Sequence, residues 1–347
     1  MESKHNIFLS GSAPIQYPAD TFFALFYYGA NKQVAEVPKR YPFKGEWGVP
    51  LSTCIQENPL CELPTKLDIV CLSIVEKQFY SCEMELHKDK MERKWYLKDV
   101  TDDDTVFEYI VIGMAPRGGL AIWFSGNKKQ ILVEWKHCDK IEVEMEDFLP
   151  NNPTLSLSQY CQYYINENVC KNISNEDFSL FESYMKQYVY CYRIIFERWE
   201  NDNKEWEKYD DLSSQSNILY IEEVLYDGTY DKMHKDNLMK YHQAGKPKKL
   251  AIKWHIGKLE YLAYFWFEDE RIREVFAKFY GAHPDTKTDF IIRIDAENKK
   301  YELALYRYGL KEPQIIPEDV YQILVFKNKF EDYRSDNYNQ ERGSWIW

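Results

Sequence analysis

The chain has 347 residues, 45% of them hydrophobic, enough for a sizeable core and for two domains. Its formal charge of −12 repels a phosphate backbone, and no run of Lys and Arg offsets it, which argues against nucleic acid as a partner. Aromatic residues make up 16%, with 28 Tyr, 19 Phe and 10 Trp, a content suited to strands and to rigid contact surfaces.

The opening MESKHNIFLSGSAP lacks a charged segment followed by a long apolar one, and no stretch approaches the ~18 apolar residues of a membrane span. A cytoplasmic protein is the expectation. The eight Cys (54, 61, 71, 82, 138, 161, 170 and 191) form no CxxC pair, so reduced, buried thiols are expected.

The first predicted elements are strands at LDIVCLSIV from Leu67 and FYSCEMEL from Phe79, then a helix at KDKMERKWYLK from Lys88. Strands follow at EYIVIGM from Glu108 and LAIWFSG from Leu120, with ILVEW from Ile131 as a later addition. Arg117-Gly118-Gly119 has the composition of a small anion nest, but its place between two strands favours a hairpin turn. Further on, Ser174-Asn175-Glu176-Asp177 resembles a capping box. Phe178, Phe181, Met185, Tyr188, Tyr192, Ile195 and Trp199 then recur at spacings of three and four, which reads as an amphipathic helix packed on the protein's own sheets.

The second half opens on Lys246, Lys248 and Lys249, read as a solvated edge before a strand. LAIKWHI from Leu250 and LEYLAYFWF from Leu259 pair around Gly257-Lys258. EDERIREVFAKFYG places Ile272, Val275, Phe276 and Phe279 on one helical face, with Gly281 as its stop. DFIIRIDA and YELALYRY pair around Glu297-Asn298-Lys299, and YQILVF from Tyr321 adds a strand.

PTKLDI from Pro64 and PKKLAI from Pro247 stand 183 residues apart. At that offset Asp102, Thr105, Phe107, Leu120 and Ala121 match Asp285, Thr288, Phe290, Leu303 and Ala304. The expected fold is α+β: two related halves, each an antiparallel sheet with a packed helix in the order ββαββ, joined by a helical insert. Expected boundaries are 1–150 for the N-terminal half, 151–215 for the helical connector and 216–347 for the C-terminal half with its aromatic tail.

Catalytic signals are sparse. The seven His show no metal-ligand spacing, and GxSxG, P-loop and GxGxxG motifs are missing. His255, beside Trp254, reads as a hydrogen-bonded structural residue. Asp289 and Asp295 bracket one strand, but their counterparts at the repeat offset are Val106 and Ile112, so no acidic site recurs in both halves. No catalytic residue, metal or organic cofactor is expected. Abundant carboxylates leave a site assembled in space as an open alternative.

The tail KFEDYRSDNYNQERGSWIW carries the candidate binding residues Tyr333, Arg334, Asn337, Tyr338, Trp345 and Trp347. Exposing two Trp to water is costly, which favours a tail folded back on the C-terminal half.

VFKNKFEDYRSDNYNQERGSWIW, LYDGTYDKMHKDNLMKYHQAGKPKKLAIKWHIG and AYFWFEDERIREVFAKFYGAHP resemble the bacterial family catalogued as domain of unknown function 2931, and SAPIQYP is similar to that family's opening. Many members of the family begin as lipoproteins, a pattern this N-terminus does not share. Some lie near toxin effectors of contact-dependent secretion systems. The resemblance implies a non-catalytic protein-binding module, an immunity protein neutralising an antibacterial secretion-system toxin. The alternatives are a structural or scaffolding protein and a carboxylate-based enzyme acting on carbohydrate.

Overall fold

The computed structural model describes residues 6–30, 32–39, 42–51, 60, 62–96, 106–165, 169–170, 181–182, 184–185, 190–198, 218–234, 238, 240–256, 259–295 and 298–329. The chain divides into two units, Met1–Lys186 with Asp227–Thr229, and Gln187–Tyr226 with Tyr230–Ile346.

The strands of the first unit are β1 (Phe8–Ser12), β2 (Ala19–Tyr28), β3 (Gln33–Glu36), β4 (Pro64–Ser73), β5 (Gln78–Glu85), β6 (Phe107–Ala115), β7 (Gly119–Gly126), β8 (Lys129–His137) and β9 (Asp139–Ile141). They fall into two sets, ordered β1-β6-β7-β8 and β3-β2-β4-β5-β9. β1 runs parallel to β6; the other pairs are antiparallel. Ile110, Ile112, Leu120 and Ile122 from one set share a core with Leu67, Ile69, Tyr80 and Cys82 from the other. Met91 and Trp95 of helix α1 (Lys88–Trp95) enter the same core, Trp95 edge-on to Phe124 at 4.8 Å.

β4 is buried on both faces, which explains its nearly continuous apolar run. Its Val70 and Leu72 turn away from that core and meet Phe148 of α2 (Met145–Phe148) and Tyr160 of α3 (Leu157–Tyr164). α3 begins with a capping box between Ser156 and Gln159. The Tyr160 hydroxyl donates to the buried Asp20 carboxylate of β2. On the far face of β6 and β7, Val111, Ala121 and Trp123 are covered by Tyr17, Trp47, Phe181 and Met185. Gly113 is needed there: a Cβ would lie 2.3 Å from the Trp123 ring.

The second unit contains β10 (Tyr190–Arg198), β11 (Ile218–Leu225), β12 (Tyr230–His234), β13 (His242–Ala244), β14 (Pro247–Ile256), β15 (Leu259–Phe267), β16 (Thr288–Ile294), β17 (Tyr301–Tyr306), β18 (Gln314–Ile316) and β19 (Tyr321–Lys329). Its two sets are ordered β13-β10-β16-β17-β18 and β12-β11-β14-β15-β19, with β10 parallel to β16. Tyr192, Ile194, Phe290, Ile292 and Leu303 pack against Ile221, Leu250, Ile252 and Phe265. Helix α4 (Asp269–Tyr280) adds Ile272, Val275, Phe276 and Phe279, the stripe expected from sequence. Its first turn is capped by Glu268, whose side chain accepts from the Arg271 N–H, and Gly281 ends it with a positive φ of 55°.

The α+β expectation is overturned: the described chain is mostly β. The ββαββ run of each half does not make one antiparallel sheet. Hairpins β4–β5 and β6–β7 join different sheets, as do β14–β15 and β16–β17, with α1 and α4 at the crossings. A hairpin's pattern fixes its own pairing but not its next neighbour, and strands from outside each run (β1, β2, β10 and β11) complete the sheets.

The helical reading of 178–199 fails in its C-terminal part, although residues 181–182 and 184–185 are helical. Tyr190–Arg198 is strand β10, with Tyr190, Tyr192, Ile194 and Phe196 buried in strand alternation. Phe181 and Met185 are buried in the first unit, whereas 174–178, Tyr188 and Trp199 lie outside the described residues. The strand order of the first unit recurs in the second: β1-β6-β7-β8 corresponds to β10-β16-β17-β18, and β3-β2-β4-β5-β9 to β12-β11-β14-β15-β19.

Candidate binding surface

β19 is the sequence YQILVFKNK, rich in residues that favour an extended chain. It pairs with β15 along its whole length, from Tyr321 opposite Phe267 to Lys329 opposite Leu259. Among the described residues no strand lies on its other side. Ile323, Leu324 and Phe326 are 37%, 47% and 45% exposed, an unusual load of apolar surface for one edge strand.

The neighbouring strands extend this surface. Leu324 lies opposite Tyr264, and the Phe326 ring stands edge-on to the Tyr264 ring at 6.0 Å. The Lys249 ammonium lies over the rings of Tyr264 and Trp266, at 4.8 and 5.7 Å. Lys249 is therefore a buried residue of β14, itself flanked by β11 and β15, and not part of a solvated edge. The stem of a lysine covers aromatic surface well when its charge rests on a ring. A strip of apolar side chains beside unpaired edge amides and carbonyls is equipped to accept an added strand from another polypeptide.

The second unit also holds a buried polar centre. Glu223 of β11 points into the core, where it accepts a hydrogen bond from the Tyr192 hydroxyl on one oxygen and meets His242 Nε2 at 3.1 Å on the other. Burial works against a charge on His242, but the hydrogen bond to Glu223 and that carboxylate's charge outweigh it, with Asp231 adding to them. The imidazole's pKa lies above its ordinary value. Its contribution to stability is present below about pH 6.5 and is lost as pH rises through the elevated folded value. The melting temperature of the second unit is thus expected to fall as pH rises above about 6.5. Glu223→Gln should flatten that slope, and an unchanged slope in the variant would assign the effect elsewhere.

Other sequence candidates have structural roles. Arg117-Gly118 is a turn between the paired strands β6 and β7, and the Arg117 N–H is taken by Glu76 at 2.8 Å. Asp289 pairs with Arg193 at 2.6 Å, and Asp295 accepts the N–H groups of Lys299 and Lys300. His255 Nδ1 is buried without a hydrogen-bond partner. Among the described residues no group of three or more His, Cys, Asp and Glu could hold a metal. No helix among them is long and apolar enough to cross a membrane.

Tyr333, Arg334, Asn337, Tyr338, Trp345 and Trp347 lie outside the described residues. Leu324 and Phe326 were missed as site residues. Their signal was present: YQILVF is apolar on both strand faces, and an edge strand has only one face toward a core.

The class defined by these observations is a protein of paired β-sheets with an exposed apolar edge. The family model described as "Protein of unknown function (DUF2931)" matches residues 9–179, just under half of the chain, and supports the resemblance to that family over this stretch. SAPIQYP falls inside the match. The runs beginning at Leu225, Ala263 and Val325, which carry most of the sequence resemblance, fall outside it. No curated protein and no solved structure matches the chain.

Proposed function

We propose that the protein is a non-catalytic, cytoplasmic binding module, an immunity protein that neutralises an antibacterial secretion-system toxin. The observation that carries this reading is the exposed apolar edge of β19, with Leu324 and Phe326 beside Tyr264 and Trp266. Such a strip suits the capture of an extended segment of a protein partner. The net charge of −12 favours a basic partner over nucleic acid and makes encounter with it salt-sensitive. The recurring strand order further supports an internal duplication of a two-sheet unit.

The test is co-expression with each toxin encoded beside the gene, in a sensitive host. Rescue together with a stable purified complex is expected. Leu324→Lys and Phe326→Lys should each weaken that complex about 30-fold or more while leaving the melting curve nearly unchanged, since both side chains are exposed. Rescue without a complex, or full affinity in both variants, would refute this surface.

A further inference from the structure

We propose that Cys82 and Cys138 form a reversible thiol–disulfide site that cross-links β5 to the residue leading into the edge strand β9. The register brings them together. Ser81 of β5 lies opposite Asp139 of β9 in an antiparallel pair, so the next position sets Cys82 opposite Cys138. Directly opposed residues of an antiparallel pair stand about 4.5–5.5 Å apart at Cα, within the span a disulfide bridges. Both side chains face the core of the first unit. Both are free thiols and almost wholly buried.

The two sulfurs are chemically unequal. Cys138 donates a hydrogen bond to Cys82, which together with the nearby Lys136 ammonium draws the Cys82 thiol down to about 7 against the opposing effect of burial. The same bond and burial raise Cys138. Cys82 is therefore the attacking sulfur near neutral pH.

Access comes from the edge. β9 has three residues, two of them exposed, and it pairs on one side with β5. Opening this short strand uncovers both thiols without disturbing the rest of the sheet. With a low-molecular-weight disulfide as oxidant, the Cys82 thiolate attacks one sulfur and expels a thiolate, leaving a mixed disulfide. Cys138, its proton passing to the released thiolate, then attacks the Cys82 sulfur and expels a second thiolate, which takes up from solvent the proton that Cys82 had lost. The pair gives up two electrons and two protons, and the oxidant is reduced to two thiols.

The probe is oxidised glutathione applied to the native full-length chain, with free thiols counted after unfolding. The expected result is a fall from eight thiols to six, and a cleavage peptide joining Cys82 to Cys138. The melting temperature should rise by at least about 5 °C, because the bridge closes a long loop. Cys82→Ser and Cys138→Ser should each abolish the cross-link, while Cys161→Ser should leave it intact. Eight thiols retained after exposure, a bridge to any other cysteine, or a cross-link persisting in Cys82→Ser would overturn the proposal. The peptide map of the unaltered chain decides even if a variant fails to fold.

Discussion

Replacing Trp123 with alanine is expected to destabilise the first unit by about 4 kcal/mol, in the range for a fully buried Trp. Trp123 has no exposed surface, and Trp47 packs against it edge-on at 4.8 Å. The strand beneath it carries Gly113, where any side chain would collide with the indole. Removing the ring leaves a cavity that this rigid floor cannot fill, and it strips the Asp227 carbonyl of the donor that Trp123 Nε1 supplies at 3.0 Å. A fall in melting temperature of roughly 10 °C or more should follow, at ~2–4 °C per kcal/mol. Trp123→Phe should lose distinctly less. Equal melting of the alanine and native proteins would show that the site collapses around the loss.

Arg293→Met is expected to have an effect of similar size, roughly 3–5 kcal/mol, but for an electrostatic reason. Arg293 lies on the central strand of three, directly opposite Glu197 on β10 and Glu302 on β17. Its guanidinium contacts both carboxylates, at 2.9 and 2.8 Å, with 5% of its side chain exposed. Methionine keeps the bulk of the side chain but leaves the buried Glu197 and the partly buried Glu302 charges without a cation between them. The diagnostic is the triple variant Glu197→Leu, Arg293→Met, Glu302→Leu, which should recover most of the loss in urea denaturation. If the triple variant is no better than the single one, Arg293 acts through packing.

The sequence made these local features legible to different degrees. α4 could be read because Ile272, Val275, Phe276 and Phe279 form one stripe between a carboxylate cap and a glycine stop. The β14–β15 and β16–β17 hairpins were equally plain. The assignment of those hairpins to different sheets was not, because it depends on neighbours far along the chain. Strand β10 was concealed by a coincidence: Tyr192 and Ile195 fit a helical spacing, while Tyr190, Tyr192, Ile194 and Phe196 fit a strand, and partners elsewhere decide between them. The site showed the same limit. YQILVF reads as a strand from composition, but its position at the rim follows only from the order of the assembled sheet.

The parallel pairing of β1 with β6 has a consequence for the nascent chain. Phe8 lies beside Tyr109, so the N-terminal strand has no place in its sheet until more than a hundred residues have left the ribosome. Tyr192 beside Thr288 sets a similar delay in the second unit. Each unit must therefore hold a strand in waiting while the intervening hairpins form, with synthesis at several to about twenty residues per second. Long-range closure of this kind slows folding, and it makes the interval of synthesis between β1 and β6 the time when the chain depends most on chaperones.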